Sequence, residues 1–93
     1  MFERILLRMR ELVRMSRYVV TIHGREEMDA DALNVFDVEH CILTGEVVER
    51  QRDYRTGEWK YLVEGRILSG ARAVVVSKVG PTGTLVIITA YLL

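Results

Sequence analysis

Ninety-three residues with a 49% hydrophobic share, one proline and one cysteine exclude a disordered chain, an internally disulfide-bonded scaffold and a multidomain enzyme. A chain this long buries only about 60–65% of its unfolded surface, so an active site is expected as a surface cleft rather than an enclosed pocket. The formal net charge is zero, which gives no support to nucleic-acid binding by bulk electrostatics. Its distribution is more informative: residues 1–25 carry six Arg against two Glu, residues 26–49 eight acids and no Lys or Arg, and residues 50–93 seven basic residues against three acids.

The lone Cys41 fits a reducing compartment, and arginines interrupt any signal-peptide core at the N-terminus, so a cytoplasmic protein is expected. His23 and His40 are too few and too far apart for a metal site; no metal or other cofactor is expected. The longest apolar run, Leu85–Leu93, is too short to span a bilayer, so no membrane partner is expected either.

In chain order, residues 3–16 read as a helix, because Ile5, Leu6, Met9, Leu12 and Val13 recur on one helical face. Arg4, Arg8 and Glu11 lie off that stripe, on either a solvated face or one that meets phosphate or a partner protein. Tyr18–Ile22 is an extended link or a short strand. His23–Met28 is expected to begin another helical turn, and 29–33 to form a loop with an acidic rim. The second clear helix spans 35–44: Asn34 is its N-cap, Asp37 sits in the first turn, and Gly45 suits the C-terminal cap. Val35, Val38 and Ile42 form its buried stripe. Cys41 belongs with them as a small core residue rather than a nucleophile, since no base is close in sequence.

From Glu46 the period changes to two, with strands at 46–54, 58–66, 71–79 and 84–92. The turns fall at Thr56-Gly57, 67–70 and Gly80-Pro81-Thr82-Gly83. The expectation is one α+β domain over residues 1–93, with two N-terminal helices packed on one face of a roughly four-stranded antiparallel meander.

Taking the turns as two-, four- and four-residue loops places Tyr54 opposite Trp59, Arg52 opposite Tyr61, Tyr61 opposite Val76, Trp59 opposite Lys78, and Arg72 opposite Tyr91. Alternation then sorts the side chains. One face collects Ala73, Val75, Ser77, Val79, Val86, Ile88, Ala90 and Leu92, suited to covering helices. The other collects Arg50, Arg52, Tyr54, Trp59, Tyr61, Arg72, Lys78, Thr89 and Tyr91, with Val63, Val74, Val76, Leu85 and Ile87 among them. No acid falls on that second face, because Glu49, Asp53, Glu58 and Glu64 have the opposite parity.

Cations interleaved with aromatics suit single-stranded RNA: the cations hold phosphates and the rings stack on splayed bases. The same groups suit metal-independent cleavage, with Arg72 and Lys78 stabilising charge on the phosphorane and Tyr91 or His23 moving the proton of the attacking 2′-hydroxyl. The blander reading is a core or oligomer interface overlaid by Arg and Lys stems. On local sequence His23 is a hydrogen-bonded junction histidine, and His40 is an exposed helix residue.

The runs Thr21-Ile22-His23-Gly24-Arg25-Glu26-Glu27-Met28, Asp37-Val38, Leu43-Thr44-Gly45-Glu46-Val47-Val48-Glu49 and Val86-Ile87-Ile88-Thr89-Ala90-Tyr91 resemble, in order and spacing over about residues 17–92, a bacterial domain-of-unknown-function family, number 4258. That family is similar to the RelE and BrnT toxins and is often encoded beside a small antitoxin-like protein. The resemblance implies N-terminal helices against an antiparallel sheet, a ribonuclease-type toxin with an antitoxin partner, and His23 as a site residue. Two positions depart from the pattern. Gly24 stands where Ala is usual, and Glu27 stands where Arg is usual, so any phosphate contact of that Arg is lost or moved to Arg25.

Two functions follow. The first is an endoribonuclease toxin, with His23, Arg72, Lys78 and Tyr91 catalytic and Arg25, Arg50, Arg52, Tyr54, Trp59 and Tyr61 binding RNA. The second is a non-catalytic module that keeps the toxin fold and holds a partner protein on the same face, with a symmetric homodimer as one form of such an interface.

Overall fold

The computed structural model describes all 93 residues. Helix α1 (Glu3–Arg14) buries Met9, Leu12 and Val13 at the expected spacing. It stops short of residue 16 because Ser16 takes a left-handed φ of 55°, which a right-handed helix cannot continue through. Beside the buried stripe, the Arg10 guanidinium donates to the carbonyls of Ile42 and Gly45 at 3.0 and 2.7 Å. These carbonyls lie at the C-terminal end of α3 (Val35–Thr44), so a cation ties the two helices together where the helix dipole favours it.

The segment left open between link and strand contains strand β1 (Tyr18–Val20), which pairs in parallel with the last strand, β5 (Leu85–Leu92). The helical turn expected from His23 is a full helix, α2 (Ile22–Ala30). Its start is set by Thr21, whose hydroxyl accepts from the Gly24 N–H at 2.9 Å and donates to the Ile88 carbonyl at 3.0 Å. Asn34 caps α3 as expected, in a complete capping box with Asp37. Strands β2 (Glu46–Arg52), β3 (Trp59–Arg66) and β4 (Arg72–Val79) complete a sheet ordered β1-β5-β4-β3-β2.

The class is therefore α+β, but two helices and four antiparallel strands are corrected to three helices and a five-stranded mixed sheet. The missing elements are a three-residue strand and a helix that buries only Gly24 and Met28, too little for periodicity to declare. The core joins Met9, Leu12, Met28, Val38, Cys41 and Ile42 from the helices to Val63, Ala73, Val75, Leu85, Ile87 and Ala90 of the sheet. All these sheet residues lie on one face, which carries the helices; the other face is open.

The two sheet edges differ. Beyond β1, α2 runs along β5: Thr21 takes the Ile88 carbonyl, and the Asp31 carboxylate accepts the Leu92 N–H at 2.8 Å. That stretch of β5 is closed to pairing. A Cβ on Gly24 would lie 2.8 Å from the Ile88 oxygen, so glycine at this position lets α2 approach the strand. At the far edge, β2 is exposed along nearly its whole length.

The hairpin turns fix the register. In the second, the Ile67 N–H donates to the Ala71 carbonyl and the Gly70 N–H to that of Ile67. This leaves a three-residue loop ending on Gly70 at φ 94°, not four residues. An odd loop shifts pairing by one: Arg66 faces Arg72, and Tyr61 faces Ser77 instead of Val76. One residue of slip exchanges faces, so Trp59, Tyr61 and Val63 point to the helix side, away from Arg72 and Lys78.

The third turn repeats the geometry with Gly83 at φ 80°, placing Val79 opposite Leu85. A bulge between Val76 and Ser77 then shifts the register once more. Leu85 and Ile87 consequently enter the core, while Val86 moves to the open face. Thr89 and Tyr91 stay on the open face, opposite Val76 and Val74. In the first hairpin Arg52 faces Trp59 and Arg50 faces Tyr61; the expected pairing was two residues out, which preserves faces.

Candidate nucleic-acid interface

The helices do not cover the β2–β3 end of their own face. Arg50 and Arg52 are exposed there, Trp59 is 36% exposed and Tyr61 is half-buried. Alternation along β2 points both arginines to the same side, and cross-strand pairing sets them opposite Tyr61 and Trp59. Their guanidinium carbons lie 4.1 and 5.0 Å from the centroid of the Trp59 ring, within cation–π range. Neither guanidinium is in an ion pair; the ion pairs of the molecule lie elsewhere. Phe2, at the start of α1, meets Tyr61 edge-on with centroids 6.3 Å apart. The result is a shelf of two free cations and three rings, with a cleft of about 410 Å³ behind Phe2 between the start of α1 and Glu46–Val47 of β2.

The remaining predicted site residues divide among three other places. Tyr54 is not in a strand but at the hairpin tip, 98% exposed. The tip loop is braced internally: the Asp53 carboxylate accepts the Arg55 N–H, a hydrogen bond that holds its carboxyl below the usual range.

Arg72, Lys78 and Tyr91 lie on the open face, and here the expectation of an acid-free face is corrected. Because of the one-residue shift, Arg72 pairs with Glu64 and Lys78 with Glu58. Arg72 and Lys78 are also six residues apart on one strand, about 20 Å. Tyr91 is a diagonal neighbour of Arg72, through its pairing with Val74. The structure thus brings Arg72 and Tyr91 together but not Lys78, and no phosphate-sized spot touches all three.

His23 and Arg25 lie on α2, at the opposite edge of the sheet from the shelf. His23 is exposed, with Nε2 3.7 Å from the Glu27 carboxylate one turn on. No group of three or more His, Cys, Asp or Glu side chains is placed to hold a metal.

Two features were not legible as site or scaffold. Phe2 reaches Tyr61 across 59 positions of sequence, and no local signal could announce that contact. Tyr18 donates to the Glu39 carboxylate between β1 and α3. Burial first, and then that hydrogen bond, push its hydroxyl up to about 12, with Arg25 acting in the opposite direction. A raised folded-state value means stability that is full below the ordinary value near 10 and lost as pH climbs towards 12. In urea melts at pH 8 and pH 11.5, the wild-type midpoint should fall further than that of Tyr18→Phe; equal falls would show that the bond contributes nothing. Cys41, by contrast, is as expected: fully buried, with its thiol pushed up to about 11 by burial and then by Glu64, which suits a core residue and not a nucleophile.

A family model for a domain of unknown function, DUF4258, matches residues 20–92, and the chain belongs to that family. No curated protein and no solved structure matches the chain. No helix is long and apolar enough to cross a membrane.

Proposed function

We propose that this DUF4258 domain is a RelE/BrnT-like toxin of a bacterial toxin–antitoxin pair, acting on RNA held on the Arg50–Arg52–Trp59–Tyr61 shelf. The observation that carries the reading is the pair of guanidiniums without carboxylate partners beside an exposed indole. Free cations are what phosphates require, and aromatic faces beside them suit unpaired bases. The charge pattern supports this in part: the shelf belongs to the basic C-terminal part of the sequence and adjoins the start of α1, which carries four arginines, while six of the eight acids of residues 26–49 lie in α2, α3 and the link between them and the other two, Glu46 and Glu49, lie on β2.

Arg72 and Lys78 are each neutralised by a glutamate and stand far apart, so the reading is of a toxin whose essential contacts are on the shelf. The non-catalytic alternative, a partner-protein module, draws on the same Trp, Tyr and Arg as interface anchors. Its favouring observation is the lack of convergence on the open face.

The test is inducible expression of wild type, Arg50→Glu/Arg52→Glu and Arg72→Ala/Lys78→Ala, with growth and total RNA followed. Growth arrest by the wild type and the open-face variant, abolished by shelf charge reversal, is the expected result. A wild type that leaves growth and RNA untouched contradicts the toxin reading and favours the protein-binding module. Relief by the open-face variant alone would return catalysis to Arg72 and Lys78.

A further inference from the structure

The Trp59 ring is already occupied. Two guanidiniums share it, at 4.1 and 5.0 Å, yet 36% of the residue remains exposed. A base stacked flat on an aromatic side chain binds it more strongly than an exposed cation over the same ring does. A base that displaces one guanidinium therefore gains on the exchange. The displaced arginine leaves no ion pair behind and is available to take the phosphate that accompanies the base.

Resting on the RNA reading above, we infer that Trp59 is the selectivity element of the shelf: it admits an unpaired nucleobase by exchange with Arg50 or Arg52. A duplex keeps its bases stacked on each other and offers none to the ring. A base-free polyanion meets only the arginines, with nothing to replace them on the indole. The shelf thus takes single strands in preference to duplexes of equal charge, and Trp59 sets that preference while the arginines set the general affinity. Tyr61 is unsuited to the same exchange, because it is half-buried and Phe2 already meets it edge-on.

Trp59 is the only tryptophan, so its emission reports this ring alone. The experiment titrates the full chain, and its Trp59→Leu and Trp59→Phe variants, with a labelled single-stranded RNA 12-mer, the same 12-mer annealed to its complement, and inorganic polyphosphate of matched charge. Anisotropy and competition report binding; wild-type indole emission reports stacking. Thermal melts confirm that the variants fold.

The expected result is that the single strand quenches Trp59 and binds at least tenfold tighter than the duplex. Trp59→Leu should lose that preference, Trp59→Phe should keep part of it, and polyphosphate should bind all three proteins alike without quenching. Binding of the single strand with unchanged emission, or with equal affinity in Trp59→Leu, overturns the exchange while leaving RNA binding in place. Failure of the wild type to bind the single strand at all overturns both.

Discussion

Gly45→Ala should destabilise the protein by about 3 kcal/mol or more, lowering the melting temperature by about 12–24 °C. Backbone conformation gives no reason for this: φ at Gly45 is −91°, open to any residue, and the position only follows α3. Space gives the reason. A Cβ there would lie 2.5 Å from the Glu64 carbonyl oxygen, 2.6 Å from that of Cys41 and 3.0 Å from the Cα of Gly65. All three are backbone atoms, of a central strand and of the helix end, and none can swing aside as a side chain would. Gly45 and Gly65 are thus the point where α3 lies directly on β3, held there by Arg10 on the Gly45 carbonyl.

Gly70→Ala is the informative control. That glycine has φ of 94° with nothing within 4 Å of an added Cβ, so its cost is conformational alone, about 1–2 kcal/mol. Thermal melts of the two variants check the ranking. A Gly45→Ala protein as stable as wild type would mean that α3 does not sit on β3 this closely.

Asp37→Ala should cost about 2–4 kcal/mol. The side chain is only 8% exposed. Its carboxylate accepts the Asn34 N–H at 3.1 Å and, 31 positions along the chain, the Leu68 N–H at 3.2 Å. One acid therefore starts α3 and anchors the β3–β4 turn, and alanine leaves two amides without their acceptor. Asn34→Ala, which removes only the acceptor of the Asp37 N–H, should cost about 1 kcal/mol. Urea denaturation of both single variants and the double variant checks this; the double should cost less than the sum, because the two residues share one capping box. A smaller effect for Asp37→Ala than for Asn34→Ala would show that the link to Leu68 carries no stability.

The elements legible in the sequence were those with a strong period or cap. The α1 stripe, the Asn34–Asp37 start of α3 and the three hairpins lie where the sequence placed them, to within two residues at their ends. The α+β class followed from the switch at Glu46 from helical to alternating period. The functional face was not legible as a whole, because it depended on register, and register depended on loop parity. Glycines at 70 and 83 mark the turns, but the glycine alone does not say whether three or four residues lie between paired strands. The Val76–Ser77 bulge leaves no sequence signature at all.

The consequence is that the proposed face separates into two halves. Arg50, Arg52, Trp59 and Tyr61 kept each other's company, because the error in their hairpin was an even number of residues. Arg72 and Lys78 moved to the opposite face and acquired glutamate partners. His23, expected at the site from the resemblance alone, lies on α2 at the opposite sheet edge. The grouping that stays together is the one whose residues are close in sequence, where a register error has least room to grow.

Binding of RNA by Arg50 and Arg52, as proposed, is read from the salt dependence of that binding. A labelled single-stranded RNA is titrated with wild type and with Arg50→Glu/Arg52→Glu at several salt concentrations. The logarithm of the wild-type affinity should fall linearly with log salt. The double variant should bind at least about tenfold more weakly, with a slope shallower by about 1.4, the value for two phosphate contacts on a single strand. Equal affinities and equal slopes for the two proteins would show that these arginines do not hold the RNA.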